Sequence, residues 1–95
     1  MMAKRVLDIP IKREWFDKIV KGSKRSEYRS YTKHWKSRLE GRDYDEVRFR
    51  AGYTKQSPEA YVELRGIGGD GKSRNADYVI KLGRVLRTKR LRSKD

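Results

Sequence analysis

The chain has 95 residues, 26 Lys and Arg against 13 Asp and Glu, and a formal net charge of +13. That length makes one domain, and a hydrophobic share of 35% restricts it to a small core to which aromatic residues contribute much of the volume. The lack of cysteine excludes a disulfide framework and thiolate metal sites, and a single histidine, His34, excludes a zinc cluster or a triad built on several histidines.

Charged residues reach 41% of the chain, a level also met in disordered proteins. Here the apolar residues fall in periodic clusters that include both tryptophans, so a folded domain with a loose C-terminal end is expected. The basic excess is spread over the whole chain and favours polyanions, with nucleic acid the expected partner. No stretch combines a large apolar face with a basic one, no run is apolar enough to span a bilayer, and Met1-Met-Ala-Lys-Arg5 has no apolar signal segment. A cytoplasmic protein without a membrane partner is the expectation; the oligomeric state stays open.

Taken in order, Val6 to Lys12 alternates, with Leu7, Ile9 and Ile11 on one side, and Pro10 marks an edge or a bulge. Trp15, Phe16, Ile19 and Val20 form one apolar helical stripe, and Gly22 stands where a left-handed cap stops the helix. The reversal there aims Lys24 back across the helix end. From Arg25 to Arg29 the chain extends, with Arg25, Glu27 and Arg29 on one face and Lys24, Ser26 and Tyr28 on the other. Lys24 therefore meets Glu27 only if Lys24 belongs to the turn or a bulge intervenes.

Tyr31, Trp35 and Leu39 recur at helical spacing up to Gly41, with His34 beside them as a structural, partly exposed residue. Glu46 to Tyr53 alternates again, with Val47, Phe49, Ala51 and Tyr53 inward and Arg48 and Arg50 outward. Thr54 to Glu59 reads as a loop. Ala60 to Ile67 is a strand with Ala60, Val62 and Leu64 on one face and Tyr61, Glu63 and Arg65 on the other. Gly66-Ile-Gly-Gly-Asp-Gly71 matches the dinucleotide fingerprint in letters only, since no helix follows it, and it reads as a hairpin loop. Tyr78 to Leu86 is the last strand. The domain thus spans residues 1–86, and residues 87–95 form a flexible basic tail or an arm along phosphates. The fold class is α+β, with five short strands able to curl into a small barrel and two short helices flanking it.

One stretch gathers the chemistry. Gly22-x-Lys24-x-x-Glu27-x-Arg29, preceded by Trp15-Phe-x-x-Ile19 and followed by Tyr78-Val-Ile-Lys-Leu-Gly83, resembles the ASCH domain. The resemblance covers about Val6 to Leu86 and implies a PUA-like β-barrel with a cleft at this motif, in a family of RNA-binding modules sometimes found within transcription coactivators. It also implies, for small bacterial members, ribonuclease activity or deacetylation of N4-acetylcytidine. In that amidohydrolase group a threonine nucleophile stands at the position of Glu27, with a lysine at Lys24 and a downstream glutamate, for which Glu63 is the candidate here. Glu27 departs from that pattern, and the nucleophile is missing.

Two functions follow. The first is an RNA-binding domain, RNA ahead of DNA, in which Lys24, Arg25, Arg29, Arg48, Arg50 and Lys55 meet phosphates and Tyr31 and Tyr53 stack unpaired bases. The second is an RNA-processing enzyme in which Glu27 is a general base and Lys24 and Arg29 stabilise developing negative charge. A purely structural ion pair is the alternative for the same three residues. Neither function calls for a metal or a cofactor.

Overall fold

A computed structural model describes residues 5–68 and 77–91. Its elements follow the expected order: β1 (Val6–Pro10), α1 (Arg13–Lys21), β2 (Ser26–Ser30), α2 (Lys33–Leu39), β3 (Glu46–Arg50), β4 (Glu59–Gly68) and β5 (Asp77–Lys89). The five strands form one sheet in the order β1-β3-β4-β5-β2. Only β1 and β3 run parallel, a pairing made possible by the long connection through both helices and β2; all other neighbours are antiparallel.

Strand alternation sorts the side chains. Leu7, Ile9, Val47, Phe49, Ala60 and Val62 are buried on one face, and Tyr78, Ile80 and Leu82 extend that core along β5. Phe16 and Ile19 from α1 and Leu39 from α2 close it, each such burial contributing about 1.5–3 kcal/mol. α1 ends where Gly22 adopts φ 84° and its N–H donates to the Ile19 carbonyl. α2 begins at Thr32, whose hydroxyl accepts from the Trp35 N–H at 3.3 Å.

β1 and β2 are the two edges of the sheet. Four strand spacings, about 19 Å, would separate them in a flat sheet. Instead Arg29 Nη2 donates to the Pro10 carbonyl at 3.3 Å, so the sheet curls until its edges face each other. Register shifts between β4 and β5, from Tyr61 to Gly66, supply the bending. The expected small barrel is thus a mixed five-stranded half-barrel, with α1 joining its two edges and a side chain bridging the seam.

The structure corrects several positional expectations. Trp15 is 40% exposed, because Phe16 and Ile19 hold the centre of the α1 stripe and Trp15 sits at its margin. Tyr53 follows the end of β3 and is exposed rather than inward. Tyr31 precedes α2 instead of belonging to it. Tyr61 is buried on the outer face because Arg87 lies over its ring, 4.0 Å from the centroid. β5 runs on to Lys89, so Arg87 to Lys89 are strand rather than tail. Gly66 to Gly68 of the glycine-rich stretch pair with β5 as the end of β4 rather than forming a loop; 69–71 lie outside the described residues, as does the end of the chain, 92–95.

Candidate functional site: the cleft at the seam

The turn after α1 builds the site. Ser23 and Lys24 both donate their N–H to the Lys18 carbonyl, at 3.0 and 3.2 Å, which holds Lys24 in the turn ahead of β2 and outside its alternation. Glu27 stands opposite Ile80 and Arg29 opposite Tyr78, so both point to the inner face of the half-barrel. Glu27 is 8% exposed there. A carboxylate taken that far from water needs paired cations. Lys24 Nζ lies 3.3 Å from Glu27 Oε1, and Arg29 Nη2 lies 2.7 Å from Oε2. Placement of Lys24 in the turn thus satisfies the condition under which the three residues converge.

These groups line an open cleft of about 800 Å³ between the end of β1, the start of α1 and the segment after β3. Trp15, Tyr28 and Tyr53 present ring surface to it, and Lys12 and Arg13 add positive charge. Tyr28 is 54% exposed and Tyr53 86%. Lys24 Nζ sits 5.5 Å from the Trp15 ring centroid and 5.4 Å from that of Tyr28, within cation–π range of both. Arg29 in turn lies 5.3 Å from the Trp35 ring, which ties the site to α2. Gly52 shapes the opposite wall with φ 132°, and a Cβ there would meet Ser57 Oγ at 2.6 Å.

The other expected site residues lie elsewhere. Arg25 is exposed and does not line the cleft. Arg48 and Arg50 project from the face opposite Val47 and Phe49. Arg48 pairs with Asp8, and that bond first, then one to Tyr61, pushes its guanidinium above the usual arginine value. Arg50 lies 3.4 Å from Glu59, which Arg90 also reaches at 3.0 Å. Among the described residues no groove runs from Lys24 to Arg48 and Arg50, because the sheet separates the two groups. Lys55 is exposed beyond Tyr53 and does not line the cleft.

Tyr31 stacks on Tyr78 with centroids 4.5 Å apart and faces a second cavity of about 680 Å³. Both tyrosine hydroxyls donate to Glu40 Oε2. Burial first, then the bond to Glu40, raises the Tyr78 hydroxyl above the ordinary tyrosine value. Glu63 pairs with Arg65 at 3.2 Å and accepts from the Arg84 N–H, so the candidate downstream glutamate is not part of the cleft. His34 is exposed, edge-on to Trp35.

Of the nominated residues, then, Lys24, Glu27, Arg29 and Tyr53 share the cleft. Tyr28 also lines it, as do Trp15, Lys12 and Arg13, to which the sequence assigns no binding role. The available signal was Trp15 at the margin of its stripe, one turn from Lys18, whose ammonium lies 4.8 Å from the indole. Among the described residues no group of three or more His, Cys, Asp or Glu is placed to hold a metal ion, and no helix is long and apolar enough to cross a membrane. Compared with models of known protein families, with curated proteins and with solved structures, the chain matches none.

Proposed function

We propose that the protein is an RNA-binding domain of the ASCH, PUA-like type, which takes an unpaired nucleotide of single-stranded or modified RNA into the seam cleft. The observation that supports this reading is the set of exposed Trp15 and Tyr28 rings beside Lys24 and Arg29, around the buried Glu27 carboxylate. The volume of about 800 Å³ falls in the range of small-ligand sites and suits one splayed nucleotide better than a duplex. The rings stack a base, the cations hold flanking phosphate, and the net charge of +13 draws the strand in. Titration of a single-stranded oligoribonucleotide tests it. Affinity falls by roughly 0.7 log units per log unit of salt for each phosphate engaged. A flat salt response, or no quenching of tryptophan fluorescence on binding, removes the reading.

The placement of Glu27 between two cations also supports an RNA-processing enzyme, with Glu27 as general base and Lys24 and Arg29 stabilising charge. Each carboxylate oxygen pairs with one cation and keeps a lone pair that can receive a proton. Glu27→Gln then abolishes turnover and leaves the fold intact. Wild-type protein that neither cleaves RNA nor hydrolyses acylated cytidine ends this second reading.

A further inference from the structure

We propose that the cleft selects bases carrying an imide edge, uracil and its ring-modified forms, over cytosine and adenine; this rests on the RNA-binding reading. The inference follows from the order of donors and acceptors on the cleft wall. An ammonium and a guanidinium only donate hydrogen bonds, and a carboxylate only accepts them. Lys24 holds Glu27 Oε1 at 3.3 Å and Arg29 holds Oε2 at 2.7 Å, and all three residues line the cleft. The wall therefore reads donor, acceptor, donor. A carboxylate offers about four acceptor sites, so the two cations leave it able to receive a further N–H.

The pairing edge of uracil reads acceptor, donor, acceptor: O4, N3–H, O2. It matches the wall at all three positions, with N3–H donating to Glu27 and the two carbonyls accepting from Lys24 Nζ and from Nη1 of Arg29, whose Nη2 serves Glu27 and Pro10. Cytosine in the same pose sets the lone pair of N3 against the carboxylate and its amino group against a cation. Adenine satisfies at most two positions. Guanine sets its amino group beside a second donor. Stacking on Trp15 and Tyr28 is blind to these differences, since every base has a π face. Discrimination therefore falls on the edge, where a lone pair set against the carboxylate, or an amino group set against a cation, repels and leaves polar groups unpaired.

Fluorescence titration of the full chain with single-stranded oligomers of U, C and A at fixed salt tests this, together with a U oligomer methylated at N3. The expected result is that U binds about tenfold or more tighter than C or A, and that N3 methylation removes that advantage. Glu27→Gln, checked for folding by circular dichroism, is expected to bind all three oligomers within about threefold of one another. Equal affinity of wild type for U, C and A, or a preference for U that survives N3 methylation, overturns the selectivity and leaves RNA binding standing. No binding to any oligomer overturns both.

Discussion

Arg29 Nη2 donates to the Pro10 carbonyl across the seam of the half-barrel, at 3.3 Å, while the same nitrogen holds Glu27 at 2.7 Å. One guanidinium thus joins the two edge strands and neutralises the buried carboxylate. Shape and charge of the cleft depend on the same side chain.

Replacing Arg29 by alanine removes both contacts. Breaking a fully buried pair costs about 3–5 kcal/mol; with Arg29 24% exposed on its side chain we expect about 2 kcal/mol. For a domain of this size that lowers Tm by roughly 10 °C. Arg29→Lys keeps the charge without the planar fork and recovers part of the loss. Thermal melts of both variants measure this, and unchanged melting of the alanine variant would show that the seam is held otherwise.

On the outer face, Glu46 is 1% exposed and its Oε1 lies 3.0 Å from Arg87 Nη2, while the Arg87 guanidinium covers Tyr61. Truncation after Leu86 strips that cover and is expected to cost about 2 kcal/mol in urea unfolding. A double-mutant cycle of Glu46→Gln with Arg87→Gln should give a coupling of about 1 kcal/mol, modest because Arg87 is 47% exposed on its side chain. Full stability of the truncated chain would place the domain boundary at Leu86 after all.

Tyr78 provides the pH dependence. Its folded value is raised above the unfolded one, so the fold holds this proton more tightly than the unfolded chain does. The corresponding stability is complete below the unfolded value of about 10 and declines as pH rises above it. Wild-type protein should lose stability relative to Tyr78→Phe over that alkaline range, in urea titrations at stepped pH. Parallel pH profiles would mean that the hydroxyl and Glu40 are not coupled in this way.

At Gly52, φ of 132° disfavours any side chain, and an added Cβ would lie 2.6 Å from Ser57 Oγ. Gly52→Ala is expected to cost about 1–3 kcal/mol. Adding Ser57→Ala removes the clash but not the backbone strain, so the double variant recovers only part of the loss. Because Gly52 and Tyr53 line the cleft, RNA affinity should weaken with stability in the single variant. A Gly52→Ala protein with wild-type melting and affinity would show that the loop adapts freely.

The order of elements was legible in the sequence. Alternation at Leu7–Ile9, Val47–Phe49 and Tyr78–Leu82 and the helical spacing of Phe16 and Ile19 depend on local geometry, and a residue's nearest neighbours dictate that geometry. The same holds for Gly22, whose left-handed conformation ends α1, whereas the bonds to the Lys18 carbonyl, not the spacing, decide that Lys24 belongs to the turn. Residues meeting across the molecule were harder to place. Tyr31 shares a stretch with the motif yet stacks on Tyr78, and Trp15 shares a stripe with the core yet faces the cleft.

The charge-dense stretch from Lys24 through Glu27 to Arg29, and its place between a helix and a strand, are properties the sequence determined alone. Tertiary structure decided that β2 lies at the far edge of the sheet, that curling brings this edge against Pro10, and that Arg48 and Arg50 fall on the opposite face. Period and turn chemistry act over a few residues. Strand order and curl depend instead on pairings between distant segments, and those pairings choose which of the many cations surround the buried carboxylate.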